Sequence, residues 1–203
     1  MKILIIVALV AFLLYLLARR FMLAVNGEKG LVSVVSGRQF TRVDSSPASI
    51  AQATKSTVRS VATGFLLLIL ILLLGIKIKI LWIISPLALY LIGQVFVYIN
   101  QLKYTKDQRI YFNPENNEVL VDFMRGRSRS FNLLRDVRKV SEVRSVQKNG
   151  NILFGYYKLH LRDGAIVIPY LVEQHVCPIN KLFFSYLNEQ FKIEVERRLF
   201  PIA

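Results

Sequence analysis

The sequence predicts a membrane α + β protein: three transmembrane helices followed by an antiparallel β domain that a C-terminal amphipathic helix closes. Three observations predict it. Residues 3–18, 61–76 and 80–99 are long apolar runs. From about residue 106 the chain changes to short segments of alternating apolar and polar residues separated by turn formers. Behind Pro178, apolar residues recur at helical spacing. Composition agrees. Of 203 residues 54% are hydrophobic, yet Lys and Arg number 27 against 13 Asp and Glu, a net charge of +14. Mean hydropathy is +0.43. A soluble nucleic-acid binder of this charge would not reach that hydropathy, because self-repulsion and solubility oppose so much apolar content. The hydrophobic fraction excludes disorder, and the single cysteine, Cys177, excludes a disulfide-stapled fold.

The membrane region is expected to cover 1–103, with spans at 3–25, 57–76 and 80–100 and a loop at 26–56. A 16-residue run rises only about 24 Å as a helix, less than a bilayer core of about 30 Å. Flanking residues must therefore extend each span: 21–25 after the first run, Val58 and a snorkelling Arg59 before the second. The first run reads as an uncleaved anchor, since only Lys2 precedes it and Arg19 and Arg20 occupy the place of a cleavage site. Within the spans the polar residues are Thr63, Ser85 and Gln94; Gln94 reads as an interhelical hydrogen bond. With no ionisable group at mid-depth, transport has little support.

Basic residues set the orientation. Arg19, Arg20, Lys29, Arg38, Arg42, Lys55 and Arg59 crowd the loop against Glu28 and Asp44, and Lys103, Lys106 and Arg109 follow the third run. The positive-inside rule puts both groups in the cytoplasm and the N-terminus outside, against the lesser vote of Lys77 and Lys79. Within the loop, Ser46 reads as an N-cap and Pro47 as the first residue of a helix running into the second span. Residues 31–35 and 39–43 flank Ser36, Gly37 and Arg38 as a hairpin.

The second region, 104–203, reads as six strands: 109–113, 118–124, 129–133, 139–147, 152–162 and 165–171. In the fifth, Tyr157, Leu159 and Leu161 point inward while Lys158, His160 and Arg162 point outward. Of Tyr156 and Tyr157, one ring is expected in the core and the other at a pocket. Asp163 and Gly164 supply a positive-φ pair for a tight hairpin, and Pro169 marks an edge or strand end. Strands joined by short turns without intervening helices give an antiparallel sheet. The closing helix, 178–191, carries Ile179, Leu182, Phe183, Tyr186, Leu187 and Phe191 as its buried stripe. Residues 192–198 are charged and are expected to fray or continue the helix at the surface.

From Ile110 to about Phe191 this pattern resembles the pleckstrin-homology-like (PH-like) domain, a partly open barrel or sandwich closed by one C-terminal helix. It also resembles small bacterial membrane proteins that append such a domain to membrane helices. The stretches that carry the likeness are 110–113, 117–121, 131–137, 156–164 and 166–168. A full fold of this type has seven strands, and the 31–43 hairpin is a candidate to complete the sheet. The resemblance implies a non-enzymatic protein of the bacterial inner membrane whose cytoplasmic domain binds anionic lipid or a protein partner as anchor, scaffold or regulator.

Arg125, Arg127 and Arg129 alternate with Gly126 and serines, so an extended strand puts three guanidinium groups on one face. With Arg138 and Lys139 they form the candidate anion or lipid site, within a segment that also holds Arg135, Arg144 and Lys148. A plain basic surface held near anionic lipid accounts for most of that charge, at about 1 kcal/mol of attraction per residue. Two other readings stand beside it: an anti-phage effector whose arginines hold a cyclic nucleotide, and an immunity protein whose helices bind a membrane-targeting toxin. A homo-oligomer or another membrane protein is a possible partner. The arginines lack the interleaved aromatics of a nucleic-acid platform.

No catalytic, cofactor or metal site is expected. His160, His175 and Cys177 are the soft ligands, but zinc needs three or four converging ones. No third group orients a Cys–His dyad. Cys177 reads as a buried residue at the helix start. Phosphate-binding glycine loops, nucleophile elbows and framed carboxylate pairs are missing from the sequence.

Overall fold

A computed structural model describes Tyr15, Val34 and Val35, and residues 38–124, 126–149, 152–175 and 177–203. The chain divides into a unit Met1–Leu31, of which Tyr15 is described and is helical, and a unit Val32–Ala203. The expected span 3–25 otherwise lies outside the described residues.

The second unit begins with three short strands. The expected 31–43 hairpin is made in part: β1 (Val34–Val35) pairs antiparallel with β2 (Arg38–Gln39) as a sheet of its own, while β3 (Thr41–Val43) leaves it and alone joins the sheet of the second region. Ser46 then caps α1 (Pro47–Leu74), its hydroxyl accepting from the Ser49 amide at 2.9 Å with Pro47 opening the first turn. A 3-10 turn (Lys79–Ile84) leads to α2 (Ser85–Asp107). Pro86 sits in the first turn of α2, where its missing N–H costs nothing, so it starts this helix and does not interrupt it. Gly64 brings the two helices together: a Cβ there would lie 2.9 Å from the Ala88 carbonyl oxygen and from the Leu91 side chain. The Thr54 and Tyr98 hydroxyls meet across the pair. Gln94 is buried, but its Nε2 has no partner among the described residues, so the expected interhelical bond is not made by that atom. Both helices are long and apolar enough to cross a membrane. Their outer faces expose Leu66, Leu70, Leu73, Leu87, Leu89 and Phe96.

Six strands follow close to where alternation puts them: β4 (Gln108–Asn113), β5 (Glu118–Phe123) and β6 (Arg127–Asn132), then, after a single turn α3 (Leu133–Asp136), β7 (Val137–Ser145), β8 (Gly155–Leu161) and β9 (Gly164–Pro169). A second single turn, α4 (Tyr170–Glu173), precedes α5 (Pro178–Gln190), and β10 (Glu194–Arg198) ends the element order. Two four-stranded sheets result, ordered β3-β4-β5-β6 and β10-β7-β8-β9. The expected fraying of 192–198 is thus corrected: β10 lies parallel to β7, Glu194 opposite Ser141 through Arg198 opposite Ser145. The β8–β9 turn is also corrected. Leu161 pairs with Gly164, so Arg162 and Asp163 form the turn, and only Gly164 (φ 132°) takes positive φ there.

The sandwich core is Val43, Ile110, Phe112, Val119, Val121 and Phe131 against Val140, Tyr157, Leu159, Ile166 and Ile168. One open end is closed by α5, whose Phe183 ring stands edge-on to Phe112 at 5.2 Å and whose Phe184 meets Tyr157 at 5.3 Å. The expected stripe is shifted in phase: Leu182 faces out, while Phe184 and Asn180 turn in beside Phe183 and Leu187. Val43 reaches this core from before the helical pair, so the pair is inserted between the first two strands of the first sheet.

Candidate functional site

The candidate basic residues do not converge. Arg125 lies outside the described residues. Gly126 (φ 78°) bends the chain, and the strand begins only at Arg127. Arg127 and Arg129 share a face, as period 2 requires, but their register partners are Phe123 and Val121, and Phe131 continues the face into the core. These arginines therefore stand at the inner rim of the first sheet. Arg129 is committed there, donating Nη1 to the Asp163 carbonyl at 3.3 Å with Nη2 3.7 Å from its carboxylate. Arg138 is exposed beside a register shift in β7, and Lys139 pairs with Glu194 at 2.6 Å.

A different site forms on the outer face of the second sheet. Its rows follow from register: Lys139, His160 and Ala165 in one; Glu194, Ser141, Lys158 and Val167 in the next; Glu196, Val143 and Tyr156 in a third. Tyr104 of α2 and residues 202–203 wall this face, giving a groove of about 780 Å³. The tyrosine pair divides as expected, Tyr157 into the core and Tyr156 onto the groove, where its hydroxyl donates to the Ile202 carbonyl at 3.4 Å.

Charges in the groove are mostly paired. Glu194 takes Lys139, and Glu196 takes Arg198 through two bonds of 2.7 and 3.0 Å. Burial holds the His160 imidazole below its ordinary pKa, with Lys158 and Lys139 adding to the effect. Its Nε2 shares a hydrogen bond of 3.2 Å with the Ser141 hydroxyl. Lys158 remains as a cation with no carboxylate partner among the described residues, in mid-groove between Ser141 and Val167. The arrangement suits one anionic group with apolar substituents.

Two other polar clusters are structural in form. Asn180, 1% exposed, donates Nδ2 to the carbonyls of Asp44 and Val172, both at 2.7 Å, and accepts from the Asp44 amide at 3.3 Å. His175 meets the same Asp44 carbonyl at 2.8 Å. Cys177 is only half-buried at the α5 N-cap, which corrects its expected core position. Inside the sandwich, the Tyr170 hydroxyl donates to Glu142 and the Tyr157 hydroxyl to Glu173 at 3.0 Å. Burial holds the Glu173 carboxyl above the usual range and raises both phenols further. Among the described residues no three His, Cys, Asp or Glu side chains gather as a metal site. The Glu142 position was open to sequence reasoning, since it shares period-2 parity with core Val140; the groove was not, because outward polar residues read as a solvated face.

A family model described as a PH domain matches residues 46–181, from the cap of α1 into α5. No curated protein and no solved structure matches the chain. The matched region holds both helices and six strands of the sandwich, and it spans about two thirds of the sequence. The chain belongs to the PH-domain family.

Proposed function

We propose that this is a non-enzymatic membrane protein whose helical pair fastens a PH domain to the bilayer, and that the second-sheet groove binds an anionic lipid headgroup at Lys158. One observation carries the reading: Tyr104 of α2 forms a wall of the groove, so the free lysine lies beside the base of an apolar helical pair. Lys103, next to Tyr104, is exposed and adds attraction for anionic lipid. The proposed location is the bacterial inner membrane. The basic residues of 19–60, with Lys103, Lys106 and Arg109, favour a cytoplasmic domain. A cyclic-nucleotide cradle at Arg125, Arg127 and Arg129 has less support, because Arg129 is tied to Asp163.

Thermal melting of the detergent-solubilised full chain tests the lipid reading. Short-chain phosphatidylglycerol should raise the melting temperature saturably, phosphatidylcholine should not, and Lys158→Glu should abolish the difference. Equal effects of the two lipids on the unsubstituted chain would remove the headgroup from the account.

A further inference from the structure

We propose that residues 199–203 form an additional membrane contact, an apolar loop strapped along α2 that enters the bilayer beside it. The inference rests on the reading of α1 and α2 as membrane-embedded. The loop is fixed at two points. At one, the Phe200 ring lies 5.5 Å from that of Tyr90 and over Gly93, where a Cβ would stand 2.6 Å from the ring. Only glycine leaves room for that ring. At the other, the Asn100 side chain holds Ala203 from both sides, Oδ1 accepting from its amide at 3.0 Å and Nδ2 donating to its carbonyl at 3.4 Å. Gly93 and Asn100 are seven residues apart on α2, about 10 Å along its axis. Pro201 is buried between them.

The side chains that this leaves outward are apolar: Leu199 is 58% exposed and Ile202 46%, on a helix whose Phe96 is itself 62% exposed. In water such a surface would be costly, and the loop would have no reason to extend it. Arg197 and Arg198, both exposed, come directly before Leu199, Arg198 with its charge already shared with Glu196. Cations followed by an apolar loop match the order of an anionic headgroup layer followed by hydrocarbon. The occupant of this surface is therefore the bilayer.

Tryptophan quenching separates this inference from the reading beneath it. Trp82, the chain's one tryptophan, lies in the 3-10 turn at the far end of the helical pair and reports whether the pair is embedded. A second protein, Trp82→Phe with Leu199→Trp, reports the loop. In liposomes with bromine on the upper acyl chain, both proteins should show blue-shifted emission and lose intensity against unbrominated lipid. Adding Gly93→Leu to the second, which evicts Phe200, should reverse both effects. If Trp82 is quenched but the tryptophan placed in the loop emits at the wavelength of water, the helices are embedded and the loop is not. A blue-shifted but unquenched signal from the loop would assign its surface to a second copy of the chain and overturn the proposal. Quenching that survives Gly93→Leu would refute the strap. If Trp82 itself is not quenched, the underlying reading falls first.

Discussion

Val43 lies opposite Ile110 in the first sheet, and the entire helical pair occupies the chain between them. Two consecutive strands of one sheet are normally joined by a turn; here the connection is a hairpin of two helices, of which α1 alone is about 42 Å long. The consequence is mechanical. The PH domain is not tethered to its helices by a linker, because its edge strand and its second strand are the two roots of the pair. The return of the chain also requires that both roots lie on one side of any membrane the pair crosses.

The edge strand should be indispensable to the sandwich. Val43→Ala is expected to cost about 1–3 kcal/mol in denaturant unfolding, from lost burial and the cavity left. Residues 104–203 alone, lacking β3, leave the β4 edge and Val43's place in the core open. Their thermal or urea transition should be broad, whereas residues 38–203 should unfold cooperatively. A sharp transition for 104–203 would make β3 an ornament.

Asn180 should matter far more than an exposed apolar residue of its helix. Asn180→Ala strands the buried carbonyl of Val172 and one partner of Asp44, with a loss on the order of 2–4 kcal/mol. Equilibrium unfolding measures it. Exposed Leu182, on the same helix, is the control, and Leu182→Ala should fall within about 0.5 kcal/mol of the unsubstituted protein. Equal losses at the two positions would contradict the hub.

Glu173 should give the fold a pH dependence of known sign. Burial raises its carboxyl most, against the lowering effect of the Tyr157 hydrogen bond, and Glu142 adds to the rise. An acid that holds its proton more tightly folded than unfolded contributes its stability below the unfolded value, about pH 4.3. That contribution is lost as pH rises through the window up to the folded value. Glu173→Gln keeps an acceptor for Tyr157 and removes the charge. Its melting temperature should exceed that of the unsubstituted protein at neutral pH, with the gap closing toward about pH 4. Parallel curves for the two proteins would show that Glu173 pays no burial cost.

Where partners are local, the sequence was legible. Ser46 and Pro47 announce the start of α1 because cap chemistry needs only four residues, and the 155–161 alternation places Tyr157, Leu159 and Lys158 on their observed faces. The misreadings share a cause: their partners are distant in the chain. The 194–198 segment is charged and wholly exposed, so nothing in it signals a strand; its pairing is supplied by β7. Arg129 reads as an anion ligand until register puts it opposite Val121 and within reach of Asp163. Asn180 looks like a polar gap in an apolar stripe until β3 delivers Asp44 to it. Lys158 looks solvated until α2 and residues 202–203 raise walls around its face.

Two single-cysteine proteins decide whether the inserted pair crosses the membrane and returns. Cys177 is first replaced by serine, and Lys77→Cys at the tip of the pair or Asp163→Cys in the β8–β9 turn is then added. Sealed vesicles of known orientation are treated with a membrane-impermeant maleimide. The cysteines placed at positions 77 and 163 should label from opposite sides. Labelling of both from the same side would contradict the crossing.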